Sequence, residues 1–193
     1  MEMIIQLYSI MDTRKFTKKK TLQTNIVDLE KTPIDSDVLK QFGYKVIPYT
    51  TLNQYNTIEE VGECILFTPT NSQTNGHYST LWIDVSGNLN YWCSYGYNLQ
   101  KTLTFSSYMQ HTSAPDEYYL MNLVNEFVNR THKKFLVNEF KYQSSSPNIA
   151  TCGRWSVVRL MHTEMSHQQF HEWFKLKGSL TDDMIVTLLT YLF

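Results

Sequence analysis

No stretch of this sequence is apolar for long enough to cross a bilayer. The most apolar run, Met184 to Phe193, is short and is interrupted by Thr187, Thr190 and Tyr191. The opening Met1 to Met11 lacks both a basic leader and a small-residue cleavage site, so it does not read as a signal peptide. Cysteine is scarce: Cys64, Cys93 and Cys152 are an odd number at wide spacing. That excludes a disulfide framework, points to a reducing compartment and leaves at least one thiol free for chemistry. Charge of either sign is nearly balanced, at a net -1, which removes any global pull toward nucleic acid or an anionic membrane. Glycine is also sparse, 7 residues against 13 tyrosines, and none of it forms a phosphate-cradling loop. What is present, 42% hydrophobic and 18% charged residues over 193 positions, fits one folded domain with an aromatic-rich core.

Two regions are expected: an N-terminal segment, 1–31, and a main domain, 32–193. Arg14, Lys15, Lys18, Lys19 and Lys20 cluster in the first. As a solvated arm they need no partner; as an electrostatic grip they would hold nucleic acid or an acidic protein. In the second, Asp35 to Phe42 predicts a short helix stopped by Gly43, and Thr57 to Val61 a helical turn stopped by Gly62. Val46 to Tyr49 and Cys64 to Phe67 read as extended. Tyr78 to Asp84 and Leu89 to Tyr95 predict two strands, joined through Ser86-Gly87-Asn88 as a β-hairpin. Asp116 to Asn129 has helical periodicity, and Lys134 to Tyr142 reads as a further strand. An amphipathic helix is expected from Cys152 to about Met165, a second from Ser166 to Lys175. A last helix is expected after Gly178, capped by Ser179 or Thr181 with Asp182 and Asp183 in its first turn.

Cys152 carries the strongest chemical signal. A polar loop, Ser144-Ser145-Ser146-Pro147-Asn148, leads into it and a helix follows. A thiol at a helix N-terminus sits in the positive end of the dipole, which favours thiolate. The free N–H groups of Cys152 and Gly153 there suit an oxyanion. Gly153 would let a substrate backbone come close. Taken alone, Cys152 reads first as a small apolar residue at a helix start, because most cysteines are inert and buried. His77, at the mouth of a strand, supplies a candidate base, since a Cys–His pair needs only proximity in space. His162, His167 and His171 have no metal-ligand pattern, and no metal site is expected.

The ordered set Gly76-His77-Tyr78, Leu81-Trp82-Ile83-Asp84, Tyr91-Trp92-Cys93-Ser94-Tyr95-Gly96, Gln143, Pro147-Asn148 and Cys152-Gly153 resembles the cysteine proteases of adenovirus and of SUMO deconjugation. Thr32 to Leu39 resembles the lead-in of proteases from large DNA viruses and virophages. The resemblance spans roughly residues 32–165. It implies an α+β fold in which a mixed central sheet, with a His-bearing hairpin, packs on a central Cys-bearing helix. It implies Cys152 as nucleophile, His77 as base and the Gln143 amide as oxyanion donor. The residue type it requires as third member, an acid or Asn, is replaced by Cys93. Asp84 is too far along its strand, whereas Asn98 is close enough after the hairpin to reach His77.

The function so implied is a viral thiol endopeptidase that processes capsid or polyprotein precursors beside small residues such as Gly. It would work in the virion or in the host cytoplasm at the viral factory, without a resident cofactor, with DNA or a peptide as an activator and no membrane partner. Two other readings stay open. One is removal of a ubiquitin-like modifier. The other is a pseudo-protease that binds peptide as a scaffold, for which Cys93 is the main argument.

Overall fold

The computed structural model describes residues 26–72, 74–104, 118–175 and 180–191. The Arg14 to Lys20 cluster, Gly178 and Ser179 lie outside them. Five strands form one sheet in the order β1 (Val46–Pro48), β2 (Cys64–Pro69), β3 (Gly76–Ile83), β4 (Leu89–Trp92) and β5 (Phe135–Val137). The outer pairs β1–β2 and β4–β5 are parallel and the inner pairs antiparallel. The sheet is therefore mixed and the protein α+β. Among the described residues it is accompanied by α1 (Ser36–Gln41), α2 (Ile58–Val61), α3 (Leu99–Thr104), α4 (Tyr119–Thr131), α5 (Cys152–Leu160), α6 (His167–Lys175) and α7 (Asp182–Tyr191).

Local chemistry sets most boundaries. The Asp35 carboxylate accepts the N–H groups of Asp37 and Val38 at 3.0 and 2.9 Å and starts α1. Thr57 does the same for α2 through Glu60 N–H at 3.2 Å, and Gly62, at φ 68°, ends it. In the β3–β4 hairpin, Asp84 accepts the N–H groups of Ser86 and Asn88, both at 2.9 Å, while Gly87 turns at φ 79°. Thr181 caps α7 by accepting Met184 N–H at 3.1 Å.

Alternation along the strands gives the sheet two apolar faces. Cys64, Leu66, Leu81, Leu89 and Tyr91 pack on one side with Ile58 and Val61 of α2, Leu99 and Leu103 of α3, and Leu120, Leu123, Val124 and Phe127 of α4. Ile65, Trp82 and Trp92 face the other, with Trp155 and Val158 of α5, Phe170 and Phe174 of α6, and Ile185, Val186 and Leu189 of α7. Residues 26–31, grouped above with the N-terminal segment, are helical and join this body. Ile26 and Glu30 are buried, and the Glu30 carbonyl accepts Ala150 N–H at 2.7 Å.

Several elements depart from the expected ones. α5 is not amphipathic: every residue from Gly153 to Leu160 is buried, because the helix is enclosed between β3 and α7. It stops at Leu160 rather than Met165 because the buried Arg159 guanidinium donates to the carbonyls of His162 and Met165 and ties the turn beneath it. The cation is seated over the rings of Trp82 and Phe170, 4.4 and 4.8 Å from their centroids. β5 ends at Val137, well short of Tyr142. The buried Asn138 side chain bends the chain there by bonding both the N–H and the carbonyl of Phe140, at 3.0 and 2.9 Å. The 3₁₀ turn Tyr49–Gln54 and helix α3 were not anticipated. Among the described residues no helix is long and apolar enough to cross a membrane.

Candidate active site

The site is assembled at one end of the sheet, where β3 begins and β4 has just ended. The last pair of the β3–β4 ladder is Thr80 with Trp92. Continuing that register three places sets His77 opposite Tyr95 and one diagonal step from Cys93. The side chains follow this geometry. The His77 ring stacks on Tyr95 with centroids 5.1 Å apart, and its Nε2 lies 3.2 Å from the Cys93 sulphur. Nδ1 is then the ring nitrogen that does not face Cys93.

Cys93 is fully buried just beyond β4. Burial pushes its thiol up, while the nearby backbone N–H groups of Tyr97 and Tyr95 pull it down; the Thr102 hydroxyl beside it donates to the Asn98 carbonyl at 3.0 Å. Its carbonyl accepts Asn138 Nδ2 at 2.8 Å and Gly96 N–H at 2.9 Å. Position 93 is thus a buried thiol with two backbone donors beside it. Asn98 is used otherwise: it is exposed, and its side-chain oxygen accepts Lys101 N–H at 2.8 Å to start α3.

Cys152 opens α5. The nearby backbone N–H groups of Tyr78, Gly153 and Cys152 itself pull its thiol down against burial. Tyr78 directly follows His77, so the strand mouth and the helix start meet at this thiol. The Tyr95 phenol is pushed up to about 12, by burial first and then by Cys152 and Cys93, which places both thiols around the ring stacked on His77. Burial dominates the pair. Despite three N–H groups and the helix end, the Cys152 thiol is pushed up to about 11, and burial takes His77 down to about 4. The resting couple is therefore a neutral thiol and a neutral imidazole, not the thiolate that the helix end alone favours. All three cysteines are free.

Gly153 serves a different purpose from the expected one. A Cβ there would lie 3.3 Å from the Tyr78 ring and 3.5 Å from Leu39, so its missing side chain makes room for this chain's own core. Tyr78 is buried and bonds Ser36 Oγ through its hydroxyl at 3.0 Å. It is a wall of the site that also anchors α1.

Gln143 is buried beside the loop that leads to Cys152. Ser94 Oγ donates to its Oε1 at 2.7 Å, which turns Nε2 toward the Ile149 carbonyl at a long 3.4 Å. The Ser94 carbonyl also accepts the N–H groups of Tyr142 and Gln143, at 2.8 and 3.0 Å. Ser94 thereby connects the Cys93 turn to the Gln143 loop. Ser94, Asn138 and Thr102 are structural partners that the sequence reading missed. Polar residues in loops give little signal of their own, and only the strand register shows that they converge. His162, His167 and His171 are engaged elsewhere: His162 pairs with Glu164 at 3.3 Å, His167 abuts Trp82 and His171 stacks on Phe140.

Fold and site together define an α+β protein with a five-stranded mixed sheet, whose hairpin strand sets His77 against Cys93 and adjoins the buried helix that Cys152 opens. No family model matches the chain. It is similar to the uncharacterized protein V9 of Sputnik virophage, with 28% identity over 167 residues, covering 80% of this chain and 91% of that protein. The likeness is thus to a virophage protein, in keeping with the viral origin suggested by the motif resemblance.

Proposed function

We propose that the chain is a cysteine endopeptidase of the adenovirus-type and SUMO-protease-like kind, processing precursors of viral structural proteins. The observation that carries this reading is the Cys152 thiol at the N-terminus of a buried helix, with three N–H groups nearby and His77 on the adjoining strand. In the reaction His77 Nδ1 takes the thiol proton as the sulphur attacks a peptide carbonyl. The N–H groups at the helix start would take the oxyanion that forms, and the Gln143 amide would join them only by giving up its long 3.4 Å bond to the Ile149 carbonyl. The His-bearing hairpin packed on a Cys-bearing central helix is the arrangement this superfamily would require. DNA or an acidic partner, held by the Arg14 to Lys20 cluster, belongs to the same proposal as an activator. Its signature would be binding that weakens steeply with salt.

The neutral resting pair and Cys93 in the acid position favour one other reading, a peptide-binding scaffold with little or no turnover. A peptide carrying a thiol-reactive electrophile, incubated with the wild-type chain and with Cys152→Ala, separates the two. Covalent labelling at Cys152 and cleavage of a virophage capsid precursor, both absent in the alanine variant, are the expected result. A wild-type chain that binds the peptide but neither labels nor cleaves would establish the scaffold.

A further inference from the structure

The first turn of α7 carries a buried carboxylate that the reaction scheme does not use. Asp183 is only 4% exposed although it lies in the first turn of the last helix. One of its oxygens accepts the Thr151 hydroxyl and Trp155 Nε1, the latter at 3.0 Å, and the other accepts Ser144 N–H at 2.9 Å. These donors come from the residue before the nucleophile, from one turn into its helix and from the residue after Gln143. Glu30 lies beside it, pushed up by burial first and then by the Asp183 charge.

Thr151 is the N-cap residue of α5, yet it makes no capping hydrogen bond. A threonine here ordinarily turns its oxygen onto the N–H groups of the first turn from an extended backbone. Thr151 instead has φ -100° and ψ 3°, and its hydroxyl proton is given to Asp183. The N–H groups a cap would consume are left for the Cys152 sulphur and for an oxyanion.

We infer that Asp183 is a positioning residue for the nucleophile: by holding the Thr151 hydroxyl it keeps the start of the Cys152 helix uncapped and available to sulphur and substrate oxygen. This deepens the proposed protease reading and rests on it for its purpose, although the arrangement itself is testable without any peptidase activity. The same carboxylate fixes the Ser144 loop, and so the spacing between Gln143 and Cys152.

The test is the rate at which iodoacetamide alkylates Cys152 in the full chain, read by peptide mass spectrometry at one mildly alkaline pH. Asp183→Leu, which offers the Thr151 hydroxyl no acceptor, should slow alkylation about tenfold, as Thr151 is released to cap the helix. Thr151→Val, which has nothing to cap with, should stay within about twofold of wild type. Combining the two should return most of the rate lost in Asp183→Leu alone. A purely structural role for Asp183 predicts no such rescue, and a double variant as slow as Asp183→Leu overturns the inference. Should Asp183→Leu fail to fold, Thr151→Asn decides in its place. Its amide is a strong cap that should slow alkylation while Thr151→Val does not, and equal rates in the two overturn the inference. If this pattern holds while the wild-type chain cleaves no precursor, the protease reading fails and the role of Asp183 stands.

Discussion

The Cys93 sulphur lies 3.2 Å from Nε2 of His77, beside the backbone N–H groups of Tyr95 and Tyr97. Two backbone donors beside one buried atom suit an anion better than a thiol that burial keeps protonated. Cys93→Asp should therefore fold, accept those donors and accept the His77 Nε2 proton. Its charge should raise the His77 pKa by on the order of 1–3 units, the usual effect of an opposite charge in contact. Titration of the imidazole by NMR checks this. An unchanged or lower His77 pKa in a folded Cys93→Asp variant would end the third-member account. Cys93→Ala, which leaves the imidazole without its partner, should lower any turnover by on the order of tenfold.

Histidines 77 and 167 make stability depend on pH. His77 is taken from its ordinary 6.5 to about 4 by burial, and His167 to about 4 by burial and then by Arg159. Between those values the unfolded chain binds protons that the folded chain refuses, so stability is complete above about 6.5 and falls as pH drops toward about 4. At ~1.4 kcal/mol per unit, each contributes a loss on the order of 3 kcal/mol across that window. Urea midpoints measured through the window should fall with acidity, and His77→Gln should remove part of that slope.

The sequence marked the elements whose signals are local. Asp35, Thr57, Gly62 and the Ser86-Gly87-Asn88 turn carry their own hydrogen-bonding or backbone requirements, and the structure places their boundaries within a residue or two of the expected ones. The diagonal approach of Cys93 to His77 was also legible, because strand register follows from the turn. What was not legible depends on partners distant in the chain. Asp183 read as a charge complementing a helix dipole, while its role comes from Thr151, Trp155 and Ser144 folding around it. Asn98 read as a candidate for His77, yet it caps its own helix. At Cys152 the helix end is visible in sequence, whereas the burial that pushes its thiol up to about 11 is not.

Gly76 immediately precedes His77, and a Cβ there would fall 2.4 Å from the Thr68 carbonyl oxygen and 2.6 Å from the Phe67 ring. The ring has some freedom, but the β2 backbone does not. Gly76→Ala should push β3 away from β2 at the strand mouth, costing about 1–3 kcal/mol as overpacking does. It should also displace His77 and lower Cys152 reactivity in the molecules that remain folded. Thermal melts and the alkylation rate report the two effects separately. A variant as stable and as reactive as wild type would mean that this edge yields more easily than its backbone contact implies.

The neutral resting pair makes a prediction opposite to that of a thiolate–imidazolium pair. With the thiol pushed up to about 11 and His77 down to about 4, the thiolate fraction should grow steadily with pH across the neutral range. Alkylation of Cys152 by a small uncharged reagent should accordingly rise about tenfold per pH unit toward that upper value, with no plateau on the acid side. An ion pair would instead hold the thiolate constant from the mildly acidic range upward. Cys93→Asp should move the profile toward that form, because a carboxylate on Nε2 stabilises the imidazolium and so the thiolate beside it. A wild-type profile already flat through neutral pH would show that sulphur and imidazole share the proton as ions, and that burial is not what sets the resting state of Cys152.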